Sequence, residues 1–127
     1  MALILDTNAL SAFADGDAKL LRVVEREDEF ALPAIALGEY LYGIRQSRFR
    51  ARYDHWLDVN LPLFDVLAVG RDTAQRYADI RQELKVSGQP IPSNDLWIAA
   101  LAREYGLPVV SRDSHFQTVR GLRVLAW

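Results

Sequence analysis

The sequence ALIL at residues 2–5 is an uninterrupted apolar run, and an acid, Asp6, follows it directly. A strand buried on both faces lacks the apolar–polar alternation of a half-exposed strand, so this run predicts an interior strand of a parallel sheet. Comparable strands are predicted at 29–32, 62–66, 107–111 and 122–125. Segments with helical signals separate them. This alternation predicts an α/β fold, a three-layer α/β/α sandwich with a mainly parallel central sheet.

The segments between the strands predict helices from their apolar spacing and from residues that start or stop a helix. Asp17 and Ser93 are good N-caps, and Gly106 suits the left-handed position that ends a helix. The predicted helices span 8–14, 18–27, 33–47, 49–60, 73–86 and 94–105. No repeat, low-complexity tract or linker interrupts this pattern, so residues 1–127 are predicted to form a single domain.

The charge composition is close to balanced, with 15 basic and 17 acidic side chains and a formal net charge of −2. The chain therefore lacks the overall excess of positive charge that would indicate a nucleic-acid partner. The basic residues are 13 arginines and 2 lysines. The planar guanidinium of arginine suits phosphate, although a biased genomic composition explains the excess equally well.

The chain has no cysteine, which excludes disulfides, thiolate zinc sites and a cysteine nucleophile. Asp6 interrupts the first apolar residues too early for a signal peptide. No apolar run approaches the ~20 residues of a membrane span. We therefore expect a cytoplasmic protein without a membrane partner.

Four acidic residues lie next to apolar elements, where a carboxylate is costly: Asp6, Glu39, Asp95 and Asp113. Removing a carboxylate from water is unfavourable unless a partner satisfies it. A hard divalent cation such as Mg²⁺ or Mn²⁺ is satisfied by oxygen ligands and pairs naturally with phosphate oxygens. Taken together, the four acids predict a metal site that positions and activates water for attack on phosphorus.

Each acid also has a local interpretation. Asp6 precedes a helix that its side chain could cap, and Asp95 lies in the first turn of a helix, where the macrodipole favours an acid. Asp113 could form an Asx turn. Glu39 has no basic residue three or four positions away, so its alternative is a long-range bridge to an arginine.

Other catalytic motifs are absent from the sequence. It contains no HExxH, CxxC, P-loop or GxSxG pattern. The two histidines, His55 and His115, are isolated from each other. His115 lies near Asp113, where it either contacts a substrate or is an ordinary surface or satisfied histidine.

Four short motifs, in order along the chain, resemble the PIN domain and specifically its VapC toxin branch. They are ILDTN at 4–8, GEYLYG at 38–43, PSNDLWIAA at 92–100 and SRDSHF at 111–116. Each motif is short, but their order and spacing extend the resemblance over nearly the whole chain. The resemblance implies a PIN-like three-layer fold and Mg²⁺- or Mn²⁺-dependent cleavage of RNA.

The resemblance also implies roles for individual residues. It makes the four acids the catalytic and metal-binding residues, with Glu39 binding metal directly or through water. Polar neighbours that would orient a carboxylate or water are Thr7, Asn8, Asn94 and Ser111. Candidate contacts to RNA or to a partner are Arg45, Arg48, Arg50, Arg52, Arg112 and His115. The arginines at 45–52 would bind phosphate, form a solvated turn, or present a surface to an acidic partner.

The leading hypothesis is a metal-dependent endoribonuclease that hydrolyses RNA phosphodiesters and is the toxin of a VapBC-type pair. The resemblance then implies a homodimer that binds a VapB-type antitoxin and can enter a larger toxin–antitoxin assembly. One alternative is a PIN-domain nuclease of RNA processing or turnover without an antitoxin. A remote alternative is a phospho-receiver-like signalling module, which would need paired acids after the first strand and a lysine late in the chain. Here one acid follows that strand, and no lysine follows Lys85.

Overall fold

The computed structural model describes residues 2–127, which form a parallel sheet surrounded by helices. The strands are β1 (Leu3–Leu5), β2 (Phe30–Pro33), β3 (Phe64–Leu67), β4 (Val109–Val110) and β5 (Val124–Leu125). The helices are α1 (Thr7–Ala14), α2 (Ala18–Val24), α3 (Ala34–Arg45), α4 (Arg50–Asn60), α5 (Arg71–Val86) and α6 (Ser93–Tyr105). Short 3₁₀ segments occur at Leu61–Leu63 and Ser114–Thr118.

The strand order across the sheet is β3-β2-β1-β4-β5, and every neighbouring pair is parallel. The chain moves from β1 outward to β3, then crosses to the other side of β1 for β4 and β5. Right-handed crossovers therefore place α1 to α4 on one face and α5 and α6 on the other. The predicted three-layer sandwich with a parallel sheet is confirmed. The order differs from the 2-1-3-4-5 order of receiver-type folds, which weighs against the signalling alternative.

The β1 strand lies at the centre of the sheet, as its uniform apolar sequence predicts. All three of its residues are buried, and Ile4 pairs with Ala31 of β2 on one side and Val109 of β4 on the other. Strands with two neighbours and two covered faces have no solvent-facing side chains, which is why the polar alternation is missing.

Aromatic packing joins the helices to the sheet and to each other. On one face, the Phe13 ring of α1 lies 5.5 Å from Phe30 and 6.0 Å from Phe64, measured between ring centroids. On the other, Tyr77 of α5 stacks on Trp97 of α6 at 3.9 Å. Edge-to-face and stacked rings of this kind contribute about 0.5–1.5 kcal/mol beyond their burial.

Within residues 2–127, no helix is both long and apolar enough to span a membrane.

Several predicted boundaries shift in the structure. The strand predicted at 62–66 begins only at Phe64, because Leu61–Leu63 forms a 3₁₀ turn with Pro62 at its start. Ser93 is the first residue of α6 rather than its cap, and Pro92 occupies the N-cap position. Asp17 does cap α2. Gly106 ends α6 with a left-handed φ of 64°.

Candidate metal and catalytic site

The four predicted acids meet in one cleft beyond the carboxyl ends of the central strands. Asp6 follows β1, and Asp113 lies three residues after the end of β4. Asp95 comes from the first turn of α6 and Glu39 from the middle of α3. The cleft has a volume of about 460 Å³ and is lined by Asp6, Thr7, Asn8, Glu39, Pro92, Ser93, Asn94, Asp95, Ile98, Asp113 and His115. Ligands of open α/β sheets bind at this edge.

Asp6 is the most deeply buried acid of the cleft, with 4% of its surface exposed. Its Oδ1 accepts a hydrogen bond from the Ala9 backbone N–H at 2.8 Å, which makes it the N-cap of α1. Its Oδ2 accepts from the Ser111 hydroxyl at 2.5 Å. The capping interpretation is therefore correct for one oxygen, while the other belongs to a bond between the ends of β1 and β4.

Burial is the main reason that the pKa of Asp6 is raised above its ordinary value. The bonds from Ser111 and Ala9 oppose this rise, and the negative charges of Asp95 and Asp113 add to it. A buried carboxylate among other carboxylates is more easily ionised when a cation lies beside it. The electrostatics of the cleft therefore favour a positive ligand.

Ser111 fixes two of the acids relative to each other. Its buried hydroxyl donates to Asp6 and accepts from the Asp113 backbone N–H at 2.9 Å. Asp113 in turn accepts at Oδ1 from the His115 backbone N–H at 2.9 Å, the turn-forming bond expected of an Asx residue. The predicted supporting position of Ser111 therefore has a defined geometry.

Glu39 is hydrogen-bonded across the cleft instead of to an arginine. The Thr7 hydroxyl donates to its Oε1 at 2.9 Å. Among the described residues no arginine forms an ion pair with Glu39, so the long-range salt bridge considered from the sequence is absent there. Thr7 thus orients Glu39 and leaves its second carboxylate oxygen for another ligand.

The histidine that appears isolated in the sequence belongs to the acidic cluster. The Nδ1 atom of His115 lies 2.8 Å from Asp95 Oδ2 and 3.0 Å from Asp113 Oδ1. The pKa of Asp95 is nonetheless raised, because its burial outweighs the His115 hydrogen bond, with the Asp113 and Glu39 charges adding to the rise. A ligand atom from each of Asp95, Asp113 and His115 lies within 4.8 Å of the others, which suits a bound metal ion.

The remaining predicted polar residues divide between the cleft and the surface. Asn8 and Asn94 line the cleft and are exposed. Four predicted arginines are exposed, do not line the cleft, and form local contacts on α3, α4 and the turn between them: Arg45, Arg48, Arg50 and Arg52. Arg112 lies over the Trp127 ring at 4.5 Å and 3.9 Å from Asp17. The structure therefore does not bring the arginine cluster into the acidic site.

The carboxylate oxygens of the cleft fit a hard divalent cation. Mg²⁺ and Mn²⁺ take oxygen ligands, keep several waters, and bind substrate phosphates at the same time. Asp6 is buried, and the other three acids that line the cleft are partly exposed, so an ion that they would hold would stay accessible to a substrate. An open position of this kind is what distinguishes a catalytic metal site from a structural one.

Comparisons with known proteins assign the chain to a family. The model of the PIN domain family matches residues 3–122. The chain therefore belongs to the PIN domain family. The resemblance to its VapC branch is also confirmed, because the chain is 31% identical to ribonuclease VapC5 of Mycobacterium tuberculosis over 121 residues, 93% of this chain and 87% of that protein.

Two further comparisons extend over full lengths. Ribonuclease VapC2 of Rickettsia felis is 26% identical over 100% of this chain and 98% of its own. The structure of DNA-bound VapBC from Salmonella typhimurium matches with a TM-score of 0.87 at 25% identity, covering 100% of this chain and 98% of the other. The similarity thus includes every element that contributes to the cleft.

Proposed function

We propose that this protein is a Mg²⁺- or Mn²⁺-dependent endoribonuclease and the toxin of a VapBC-type toxin–antitoxin pair. The observation that carries the proposal is the convergence of Asp6, Glu39, Asp95 and Asp113 in one open cleft of a PIN domain. The relatives are named as ribonucleases, which supports RNA as the substrate.

In this proposal Asp6, Asp95 and Asp113 would hold the divalent ion. The ion would supply positive charge to the reacting phosphate and lower the pKa of the attacking water. Ser111 keeps Asp6 and Asp113 at a fixed separation through its two hydrogen bonds. Preorganised side chains of this kind need no rearrangement when the substrate arrives, which is where their catalytic benefit lies.

Glu39 has a different role because it lies on another element and is bound by Thr7. The Thr7 bond occupies one oxygen of Glu39 and leaves the second oxygen to orient water or to receive its proton. A positioned carboxylate within hydrogen-bond reach of water is the arrangement required of a general base. Asn8 and Asn94 add polar side chains at the rim, where they would contact RNA.

The proposed partner is a VapB-type antitoxin, since the matched Salmonella typhimurium structure is a VapBC complex. We also propose a homodimer that assembles further with the antitoxin. The arginines at 45–52 lie outside the cleft and therefore suit either the RNA backbone beyond the cleaved bond or the antitoxin. Growth arrest on expression, relieved by co-expression of a small antitoxin from a neighbouring gene, would separate a toxin from a PIN nuclease of RNA turnover.

The test of the activity is cleavage of a pool of cellular RNAs by the wild type, Asp6→Asn and Asp79→Asn, each with Mg²⁺, with Mn²⁺ and with EDTA. Asp79 is exposed on α5 and serves as the charge-matched control. We expect the wild type and the control to cleave RNA only with metal. We expect Asp6→Asn to lose about tenfold to 100-fold or more of the cleavage rate, as when a metal site is weakened. Cleavage that survives both EDTA and Asp6→Asn would overturn the mechanism.

A further inference from the structure

The geometry points to His115 as a nitrogen ligand of the divalent ion, which makes the site bind Mn²⁺ in preference to Mg²⁺. This inference rests on the proposed function, because it concerns the ion held by the same cleft. It adds a fifth side chain to the four acids and assigns it a role in choosing the metal.

The first support is the spacing of the three atoms concerned. Nδ1 of His115 is 2.8 Å from Asp95 Oδ2 and 3.0 Å from Asp113 Oδ1. Adjacent ligands of an octahedral ion with bonds of ~2.1 Å lie about 3.0 Å apart. The imidazole nitrogen therefore lies at the separation of adjacent octahedral ligands from each of the two carboxylate oxygens, and the three atoms all lie within 4.8 Å of one another.

The second support is that one ring nitrogen faces two carboxylate oxygens. This nitrogen carries a single hydrogen or a single lone pair, so hydrogen bonds to both oxygens have to share one hydrogen. Here the same nitrogen lies close to an oxygen of Asp95 and an oxygen of Asp113. A shared metal ion satisfies all three atoms at once, with the imidazole neutral and its lone pair directed at the ion.

The third support is the rigidity of the backbone that carries the ring. His115 lies in the 3₁₀ segment Ser114–Thr118, whose start is capped by Asp113. The Thr118 hydroxyl donates to the His115 carbonyl oxygen at 2.8 Å, and the Phe116 side chain beside it is completely buried. The ring is therefore held at the cleft, while 40% of its side-chain surface stays open to solvent and metal.

Metal preference follows from the ligand chemistry. Mg²⁺ takes oxygen ligands and gives up its waters reluctantly, whereas Mn²⁺ is the first member of the transition-metal series whose affinity for sites with nitrogen ligands is ranked, and it accepts imidazole more readily than Mg²⁺ does. Replacing one oxygen ligand by His115 therefore favours Mn²⁺ over Mg²⁺. An all-carboxylate cleft lacks this source of discrimination.

The decisive experiment is pulsed electron paramagnetic resonance of Mn²⁺ bound to the full chain, because directly coordinated imidazole nitrogen modulates the electron spin echo. We expect the nitrogen modulation in the wild type and in His55→Gln, and its loss in His115→Gln. His55 is the matched control, since it is the other histidine of the chain, is exposed on α4 and does not line the cleft. Bound Mn²⁺ without nitrogen modulation in the wild type would show that His115 is only a hydrogen-bond partner of the acids.

Calorimetric titration with each metal provides the second readout. We expect His115→Gln to weaken Mn²⁺ binding by about tenfold or more and to weaken Mg²⁺ binding less. We expect His115→Asp to shift the metal preference toward Mg²⁺. Equal weakening of both metals in His115→Gln would overturn the inference and leave the proposed nuclease intact. Failure of the wild type to bind either metal would overturn the inference together with the metal dependence of the proposed function.

Discussion

Asp6 shows how one residue serves both the fold and the cleft. One of its oxygens caps α1, and the other bonds the hydroxyl at the end of β4. The sequence predicts that Asp6 caps a helix and that it belongs to the acidic site, because it follows a buried apolar strand directly. It gives no indication that Ser111 lies within hydrogen-bond distance, since that contact joins residues 105 positions apart.

The stability of the metal-free protein should depend on the pH through Asp6. The pKa of Asp6 is higher in the folded state than in the unfolded state. At a pH between these two values, the folded protein therefore keeps a proton on Asp6 that the unfolded chain has lost. The free energy of unfolding is therefore highest below the ordinary aspartate pKa and falls as the pH rises through the raised value. Chemical denaturation in EDTA at a series of pH values would measure this dependence.

We expect Asp6→Asn to reduce that dependence and to be more stable than the wild type at neutral pH without metal. Asparagine keeps an acceptor for the Ala9 N–H, carries no charge, and presents an amide donor to the Ser111 oxygen in place of the oxygen that accepts from the Ser111 hydroxyl. The raised pKa of Asp95 has the same sign, so part of the dependence should persist in the variant. A variant less stable than the wild type at neutral pH would contradict this account.

The elements of the fold follow from local signals where those signals are strong. The β1 run, the Asp17 cap and the Gly106 terminus all appear in the structure as predicted. The 3₁₀ segment Ser114–Thr118 was not predicted, because its capping bond from Asp113 is the same bond that forms an isolated Asx turn. The length of β4 depends on how far it pairs with β1 and β5, and this pairing is set by the tertiary structure and not by the local sequence.

Two glycine-to-alanine changes should have opposite effects on stability because of the backbone conformation at each position. Gly106 has a φ of 64° at the end of α6, so Gly106→Ala should destabilise the protein by about 1–2 kcal/mol. Gly43 lies inside α3 and is exposed, and no atom lies within 4 Å of the position that a Cβ would take there. Gly43→Ala should therefore stabilise the protein by about 0.5–1 kcal/mol. Urea denaturation of both variants measures the pair, and changes of the same sign would refute the backbone explanation.

At the scale of the whole molecule, the cleft is assembled from separate crossover units. Parallel strands bring their carboxyl ends to one edge, so the sequence could predict that acids after β1 and β4 lie close together. The sequence predicts His115 only as a contact to RNA or to a partner, because the motif SRDSHF places it near Asp113 but does not show which atoms its ring meets. Its contacts with Asp95 and Asp113 depend on the tertiary fold, which brings together residues from α6 and from the segment after β4.

Metal binding to the folded cleft should stabilise the entire domain. A ligand that binds only the native state at 100 times its Kd adds about 2.7 kcal/mol to the free energy of unfolding. We expect a rise in Tm with Mn²⁺ that EDTA reverses, that Asp95→Asn abolishes, and that Asp79→Asn retains. A rise that persists in Asp95→Asn would place the bound ion elsewhere.

The hydrogen bond between Ser111 and Asp6 also has a consequence for synthesis on the ribosome. Asp6 is synthesised first, and its hydrogen-bond partner Ser111 is made more than a hundred residues later. β1 likewise lacks one neighbour until β4 has been translated. A nascent chain thus has no complete acidic cleft until synthesis has passed Asp113. A chain that is still being synthesised would therefore lack the assembled metal site of the proposed nuclease.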